Sequence, residues 1–475
     1  MVIGREKACL FRTHKRKVSG HAVDKKIHRN ILKRKDKARL VSKSKNMKNT
    51  IITIILIGIT HLLLAQDSPA KAHEGVLSIA GGTLHIGNGE VVEDGIVVIQ
   101  NGKITYAGPL ASAPSLPEGR TILAKGKDIY PGMVALNTQL GLVEIGAVRA
   151  TRDGSEIGRF NPSIRSIIAY NTDSKVTPTV RSNGVLTAQV VPQGGVMTGQ
   201  SSMVQLDAWN WEDAVLATDN VLHINWPRAY RRSGSFPNFG PIKPNDNYGK
   251  SMAQIEDFMN QAKAYANMSS PKETNLKFET LKGVFSGDKK IFVRTDNAKS
   301  IIHAVNMMKS YGVEPVIVGG AESHLILDFL KENNVSVVLD NTQRLPRRDE
   351  NDVDLPYKLP RILHDAGVKF ALSMPGFYEV RNLPFQAGQA VGQGLPYEQA
   401  VKAVTMTPAE IAGIGDSVGS LEAGKDGTLF ISEGDVLDMM SSKITHAFIQ
   451  GRAVDLDNKQ SVLYRKFTNK YEGKE

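Results

Sequence analysis

Cysteine is almost absent from this chain of 475 residues, which holds a single one, Cys9. From Met47 onward there can be no disulfide, no thiolate nucleophile and no thiolate-held zinc or iron–sulfur centre. A chain of that kind suits an oxidising compartment, where free thiols are a liability. Tryptophan is scarce, with three residues, Trp209, Trp211 and Trp226. Long apolar runs are lacking as well. The most apolar stretch, residues 51–64, covers about 15 residues, short of the roughly 20 that span a bilayer, and Thr53, Gly58, Thr60 and His61 interrupt it. A basic face is missing too, despite a formal charge of +11. The first 46 residues hold 16 of the 59 Lys and Arg but only 3 of the 48 Asp and Glu, so the remainder sits near −2. No surface for nucleic acid follows from such a distribution.

What is present describes a globular protein, with 41% hydrophobic and 23% charged residues. Met47-Lys48-Asn49, the apolar run and Ala65 before Gln66-Asp67 have the layout of a secretory signal peptide at residues 47–65. A signal peptide starts close to the true N-terminus, so Met47 is the expected initiator and residues 1–46 an upstream basic extension. Like charges in such a block repel and bury nothing. The mature form is expected to be periplasmic or secreted, with no stable membrane span.

After a polar lead, short β-branched runs separated by turns fill residues 75–130, with Asn101-Gly102 as the clearest hairpin signal. Residues 415–465 have the same texture, with strands near Gly427 to Ile431 and Ile444 to Ile449 and a turn at Gly451-Arg452. Two small β-rich ends are expected to meet in one composite β-sandwich domain. Between them, residues 131–414 alternate apolar runs with helical patterns: Ile291-Phe292-Val293 before a helix over Ala298 to Tyr311, Pro315 to Val318 before Ser323 to Asn333, and Val335 to Leu339 before Leu359 to Ala366. Val368 to Leu372 closes the series. Repeated βα units at this spacing mean parallel strands and right-handed crossovers, and fit an α/β fold of the (β/α)8 TIM-like barrel class.

Several segments carry a resemblance. Gly102-Lys103-Ile104-Thr105-Tyr106-Ala107-Gly108 looks like a sheet turn, and Asp128-Ile129-Tyr130-Pro131-Gly132-Met133-Val134 like an entry into a first barrel strand. Asn183-Gly184-Val185-Leu186-Thr187, Ala400 to Ile411 and Gly419 to Leu429 follow in order. Together they resemble the amidohydrolase superfamily, and within it the imidazolonepropionase-like proteins, over residues 75–465. The resemblance implies hydrolysis of non-peptide carbon–nitrogen bonds by a divalent metal such as zinc at the C-terminal ends of the strands. The implied ligands are a His-X-His pair after the first strand, a modified lysine, two further histidines and an aspartate. A metal so held would activate a bound water.

This chain departs from that pattern. The His-X-His positions hold Asn137 and Gln139, the fifth-strand histidine position holds Arg294, the sixth strand ends at Gly319-Gly320, and Met374 stands where the aspartate is implied. Asn and Gln are weak neutral donors and a guanidinium repels a cation. No bound metal is expected on this reading; zinc or another divalent ion belongs to the alternative of a hydrolase with a reduced site.

Other groups have bland readings beside functional ones. His303 and His364 fall in helical patterns and read as packing or surface residues. His324, close to Glu322, is the best remaining ligand candidate, against a solvated helix start. His223 alternates along a strand and can face either way. Gln193 to Ser202 reads as a glycine-rich loop with no following Gly-Lys-Ser/Thr, so it is no P-loop, and Ser201 and Ser202 have no identifiable base partner. Arginines cluster on expected loops (Arg228, Arg231 and Arg232; Arg344, Arg347 and Arg348; Arg381), where an anion could bind, although Asp349, Glu350 and Asp352 flank the second cluster. Trp226 and Tyr230 with the other tryptophans fit a core or an aromatic wall. The possible ligand-binding set is His223, Arg294, Glu322 and His324. The functional expectation is a non-catalytic relative that binds a small molecule or pairs with an intact amidohydrolase. N-terminal sequencing of exported protein should read from Gln66; an intact basic arm on that form would refute the start at Met47.

Overall fold

The computed structural model describes residues 68–114, 119–235, 238–348 and 350–473. The expected signal peptide and basic extension lie outside the described residues. Early strand formation follows the β-branched density. Strands β1 (Val76–His85), β2 (Val91–Gln100) and β3 (Lys103–Pro109) form an antiparallel meander. Gln100 pairs directly with Lys103, and Asn101 and Gly102 have φ of 51° and 78°. Two positive φ values in a two-residue loop make a type I′ turn, whose twist matches that of the strands.

Strands β4 (Gly119–Leu123) and β5 (Asp128–Pro131) lie parallel to β1. The last strands, β16 (Leu429–Ser432), β17 (Ile444–Ile449) and β18 (Arg452–Ala453), join the same sheet, because β16 pairs antiparallel with β5. Strands from both ends therefore share one hydrogen-bonded eight-stranded sheet. Leu77, Ile79, Ile129, Leu429 and Phe448 are buried together in its core. The turn at the end differs by one residue from expectation. Gln450 and Gly451 form it, with φ of 51° and 72°, and Arg452 already pairs with Ile449. The helix Lys459–Tyr471, opened by an Asn458 capping box, has no counterpart in the sequence reading.

The second sheet also has eight strands: β6 (Met133–Thr138), β7 (Val185–Val190), β8 (Met197–Gln205), β9 (Val215–Asn225), β12 (Lys290–Thr295), β13 (Pro315–Gly319), β14 (Val337–Leu339) and β15 (Phe370–Leu372), in that spatial order. It is nearly closed. Thr138 bridges to Gly376, while Ala403 and Val404 accept from Leu372 N and Val134 N at 2.9 and 2.8 Å, filling the seam between β15 and β6. The fold is mixed α/β.

Eight consecutive βα units do not form. β8 runs antiparallel to β7 and β9. Residues 191–196 are too few for a parallel crossover, which takes a dozen or more, so the chain turns back through Gly194 and Gly195, both at positive φ. The glycine-rich loop is correspondingly shorter than expected, and Ser201 and Ser202 are strand residues. A separate hairpin of β10 (Tyr230–Ser235) and β11 (Asn238–Pro244) leaves the barrel after β9. The helices Tyr248–Ala266 and Leu276–Ser286 then precede β12. From β12 to β15 the alternation follows the sequence expectation, with helices Ala298–Ser310, Leu327–Glu332 and Leu355–Asp365 between the strands.

Two polar clusters tie the sheets together. The buried Asp207 carboxylate accepts from Arg181 Nη1, Arg452 Nη1 and the Ala70 N–H, each at 2.9 Å. At the other junction the His85 ring stacks on Tyr130, with centroids 4.2 Å apart, while Nδ1 meets Glu398 Oε1 at 2.8 Å and Nε2 lies 3.7 Å from Asp128. Tyr130 Oη bonds Tyr397 Oη at 2.9 Å, and Tyr397 donates to Asp435 at 2.6 Å. Burial alone would lower the His85 pKa, but the two carboxylates override it and raise it from 6.5 to about 9. A raised folded-state pKa stabilises fully below 6.5, and that contribution fades as pH rises through about 9. The thermal midpoint should therefore fall between pH 6.5 and 9.5, by the equivalent of roughly 2–3 kcal/mol. His85→Gln should remove most of that dependence; an unchanged pH profile in the variant would contradict the pairing.

Candidate functional site

The C-terminal ends of β9, β12, β13 and β14 face one cavity of about 670 Å³. This is the end of a barrel where loops collect side chains from several strands. Arg294, Thr295 and Asp296 come from the end of β12, Asn225 and Trp226 from β9, Glu322 from the turn after β13, and Arg347 and Arg348 from the loop after β14. The hairpin β10–β11 adds Tyr230, Arg231, Arg232 and Ile242 to the wall.

Beside this cavity the barrel mouth is closed by a hydrogen-bonded group. Asn137 is buried at the end of β6 with φ of 61°, a left-handed conformation that asparagine tolerates better than most residues. Its N–H donates to Gln189 Oε1 at 3.0 Å, and Nδ2 donates to Asp340 Oδ1 at 2.8 Å. Arg294 donates from Nη2 to Asn137 Oδ1, and its Nη1 lies 3.5 Å from Asp340 Oδ2. Burial raises the Asp340 pKa, with Arg294 opposing the shift. Gln189 Nε2 continues the chain to Ser201 Oγ at 3.0 Å, and His223 Nε2 meets the same hydroxyl at 2.7 Å. Burial and then the Arg294 charge push His223 down to about 3, so the ring stays neutral.

The implied ligand positions thus separate. Asn137 and Arg294 meet in the mouth. Gln139, half-buried beyond the strand end, makes no side-chain hydrogen bond to them among the described residues; a Cβ on Gly154 would lie 3.3 Å from its Nε2. Met374 is buried in the core. Gly319 and Gly320 have φ of 100° and 60°, and a Cβ on them would come within 2.7 Å of Asp296 Oδ1 and Ser323 Oγ respectively. Close approach by those two oxygens requires glycine there and leaves no side chain at the sixth-strand end. No group of three or more His, Cys, Asp or Glu able to hold a metal occurs among the described residues. The residues that are present do not fit a divalent cation: the amide oxygen and the carboxylate of the mouth already face a guanidinium.

The remaining candidates divide in the same way. Glu322 lines the cavity, accepting from Arg348 Nε at 2.7 Å, Asn297 Nδ2 at 2.6 Å and the Ala298 N–H at 3.0 Å, so it caps the helix Ala298–Ser310. His324 is half-buried and does not line the cavity, and burial lowers its pKa. His223 and Ser201 are buried in the barrel interior away from the cavity wall, and no carboxylate among the described residues bonds that ring; the pair reads as core polar satisfaction rather than a nucleophile. Two of the three arginine clusters, Arg228 to Arg232 and Arg347 with Arg348, converge on the cavity. Arg381 instead stacks on Tyr378 at 3.7 Å. Trp226 and Tyr230 reach the cavity, whereas Trp209 and Trp211 do not. Asp340, Gln189 and Asp296 were not singled out from the sequence; an acid directly after an apolar parallel strand was the signal for Asp340 and for Asp296.

Residues 278–454 match the model of the amidohydrolase family. Over 118 residues the chain is 32% identical to an imidazolonepropionase of Methylobacterium nodulans, covering 23% of this chain and 30% of that protein. Over 60 residues it is 43% identical to a 5-methylthioadenosine/S-adenosylhomocysteine deaminase of Symbiobacterium thermophilum, covering 12% and 14%. Together these matches support a member of the amidohydrolase superfamily. Its matches span less than a third of the length of these curated relatives. The solved structure of an amidohydrolase from Thermotoga maritima superposes with a TM-score of 0.69 at 22% identity, covering 80% of this chain and 99% of that one, which shows a shared fold.

Arg294→Met should leave Asp340 facing Asn137 without its cation and lower the unfolding free energy by roughly 1–3 kcal/mol in urea denaturation. Adding Asp340→Leu should recover part of the loss. Additive losses in the double variant would contradict the pairing.

Proposed function

We propose that this amidohydrolase relative binds a small ligand at its barrel mouth without hydrolysing it through a metal, as a ligand-binding protein or a partner to an intact relative. Membership of the superfamily supports hydrolysis as the chemistry for which such a barrel is built. The observation that carries the non-catalytic reading is the Arg294 guanidinium, hydrogen-bonded to Asn137 and paired with Asp340 where the resemblance implies metal ligands. A fixed positive charge there opposes the binding of a cation. The same proposal takes the nearly closed sheet as a TIM-like barrel and the sheet built from both chain ends as its companion domain, supported by the pairing of β5 with β16. It also takes the protein as exported, on the pattern of residues 47–65 alone. No helix among the described residues is long and apolar enough to cross a membrane.

Protein purified without added metal should contain well below one equivalent of zinc, iron or manganese by elemental analysis. It should show no chelator-sensitive hydrolysis of amides or cyclic imides. Asn137→His combined with Gln139→His should not create that activity, because Arg294 still holds its charge in the mouth and a hydrolytic site needs several ligands and their supporting groups. Near-stoichiometric metal with chelator-sensitive hydrolysis in the natural protein would overturn the proposal.

A further inference from the structure

The cavity at the ends of β9 and β12 to β14 has a chemistry of its own. Six arginines line it, Arg228, Arg231, Arg232, Arg294, Arg347 and Arg348, against two carboxylates, Asp296 and Glu322. Most of these guanidiniums are held. Arg347 pairs with Asp296 at 2.7 Å, Arg348 with Glu322 at 2.7 Å and with Glu350 at 3.4 Å, Arg231 with Asp246 at 2.8 Å, and Arg294 with Asp340. Arg228 is exposed and makes no ion pair among the described residues. A concave, partly apolar wall lined with more guanidiniums than carboxylates concentrates anions, and guanidinium forks match carboxylate and phosphate oxygens.

Two further groups on the wall lack partners. The Ser300 hydroxyl, on a residue only 1% exposed, makes no hydrogen bond among the described residues, although it sits in the first turn of the helix Ala298–Ser310. Asn297 is oriented by donating Nδ2 to Glu322, and its buried Oδ1 accepts nothing among the described residues. A buried hydroxyl and a buried amide oxygen without partners each cost about 1–3 kcal/mol, which is offset when a ligand supplies the missing bond. Ser300 can donate to an oxyanion, and Asn297 Oδ1 can accept from a hydroxyl. The volume, about 670 Å³, is in the range of small-molecule sites.

We infer that this cavity binds a small hydroxylated organic anion, with the oxyanion, carboxylate or phosphate, taken by Arg228 and its neighbours and a hydroxyl taken by Asn297 Oδ1. This rests on the ligand-binding reading above and gives it a ligand class. Calorimetric titration of the full chain at low salt, with malate and glycerol 3-phosphate as probes, separates a carboxylate from a phosphate source. Saturable binding of one of them is expected, with succinate or inorganic phosphate, which lack the alcohol, several-fold weaker than its hydroxylated counterpart. Arg228→Gln should weaken binding at least tenfold. Ser300→Ala should weaken it about threefold without lowering the thermal midpoint, since it removes an unsatisfied buried hydroxyl. Arg381→Gln, outside the cavity, should change nothing. No saturable binding of either probe up to about 10 mM, an affinity of less than roughly 3 kcal/mol, would overturn the inference. So would binding that ignores both cavity substitutions, or that falls equally with Arg381→Gln. Metal-dependent hydrolysis would instead overturn only the non-catalytic reading, because these titrations do not measure turnover.

Discussion

A guanidinium placed inside a barrel mouth must be satisfied there, and the geometry around Arg294 follows from that constraint. Its two ends meet an amide oxygen and a carboxylate, from the first and seventh strands. Asn137 can offer its oxygen to the arginine and its amide hydrogens to Asp340 only because its backbone turns to positive φ, and Gln189 secures that turn by accepting its N–H. Gln189 in turn holds Ser201, whose hydroxyl meets the His223 ring. A chain of polar groups thus runs through the barrel interior with its members joined to one another, the condition under which buried polarity rigidifies rather than destabilises.

That network leaves the adjoining cavity as the open part of the mouth. Its cations come from the ends of parallel strands and from a hairpin that departs from the barrel after β9. Ion pairs fix most of them, so the wall is built in advance rather than assembled from mobile side chains. Arg348 illustrates the arrangement: it bonds Glu322, which caps the helix Ala298–Ser310, and lies 5.7 Å from the Tyr230 ring. In the function proposed above, the superfamily scaffold points toward hydrolysis and this chain's own residues toward recognition.

Much of the fold was legible in the sequence. Asn101-Gly102 specified its turn because few dipeptides accept two positive φ values, and the βα alternation from β12 to β15 stood out because buried parallel strands are continuous apolar runs. The antiparallel β8 was not legible. Its residues Gln200, Ser201 and Ser202 are polar yet buried, satisfied by partners distant in sequence, and local pattern carries no trace of those partners. The same holds for the site. Asn137 and Arg294 were visible as departures from a motif, but their meeting with Asp340 depends on strand ends that only closure of the sheet brings together. The convergence of two arginine clusters on one cavity was equally invisible, since 115 residues separate Arg232 from Arg347.

The pairing of β5 with β16 has a consequence for the order of events during synthesis. Strand β5 ends at residue 131 and its partner begins at residue 429, so the first strands emerge with one edge bare until β16 has been made. Contacts of such long range are slow to form, and an unpaired strand edge is a template for other chains. A chain cut short before residue 429 would keep the whole barrel sequence and still present the β5 edge, with Ile129 and Tyr130 uncovered. Such products are candidates for aggregation and chaperone capture.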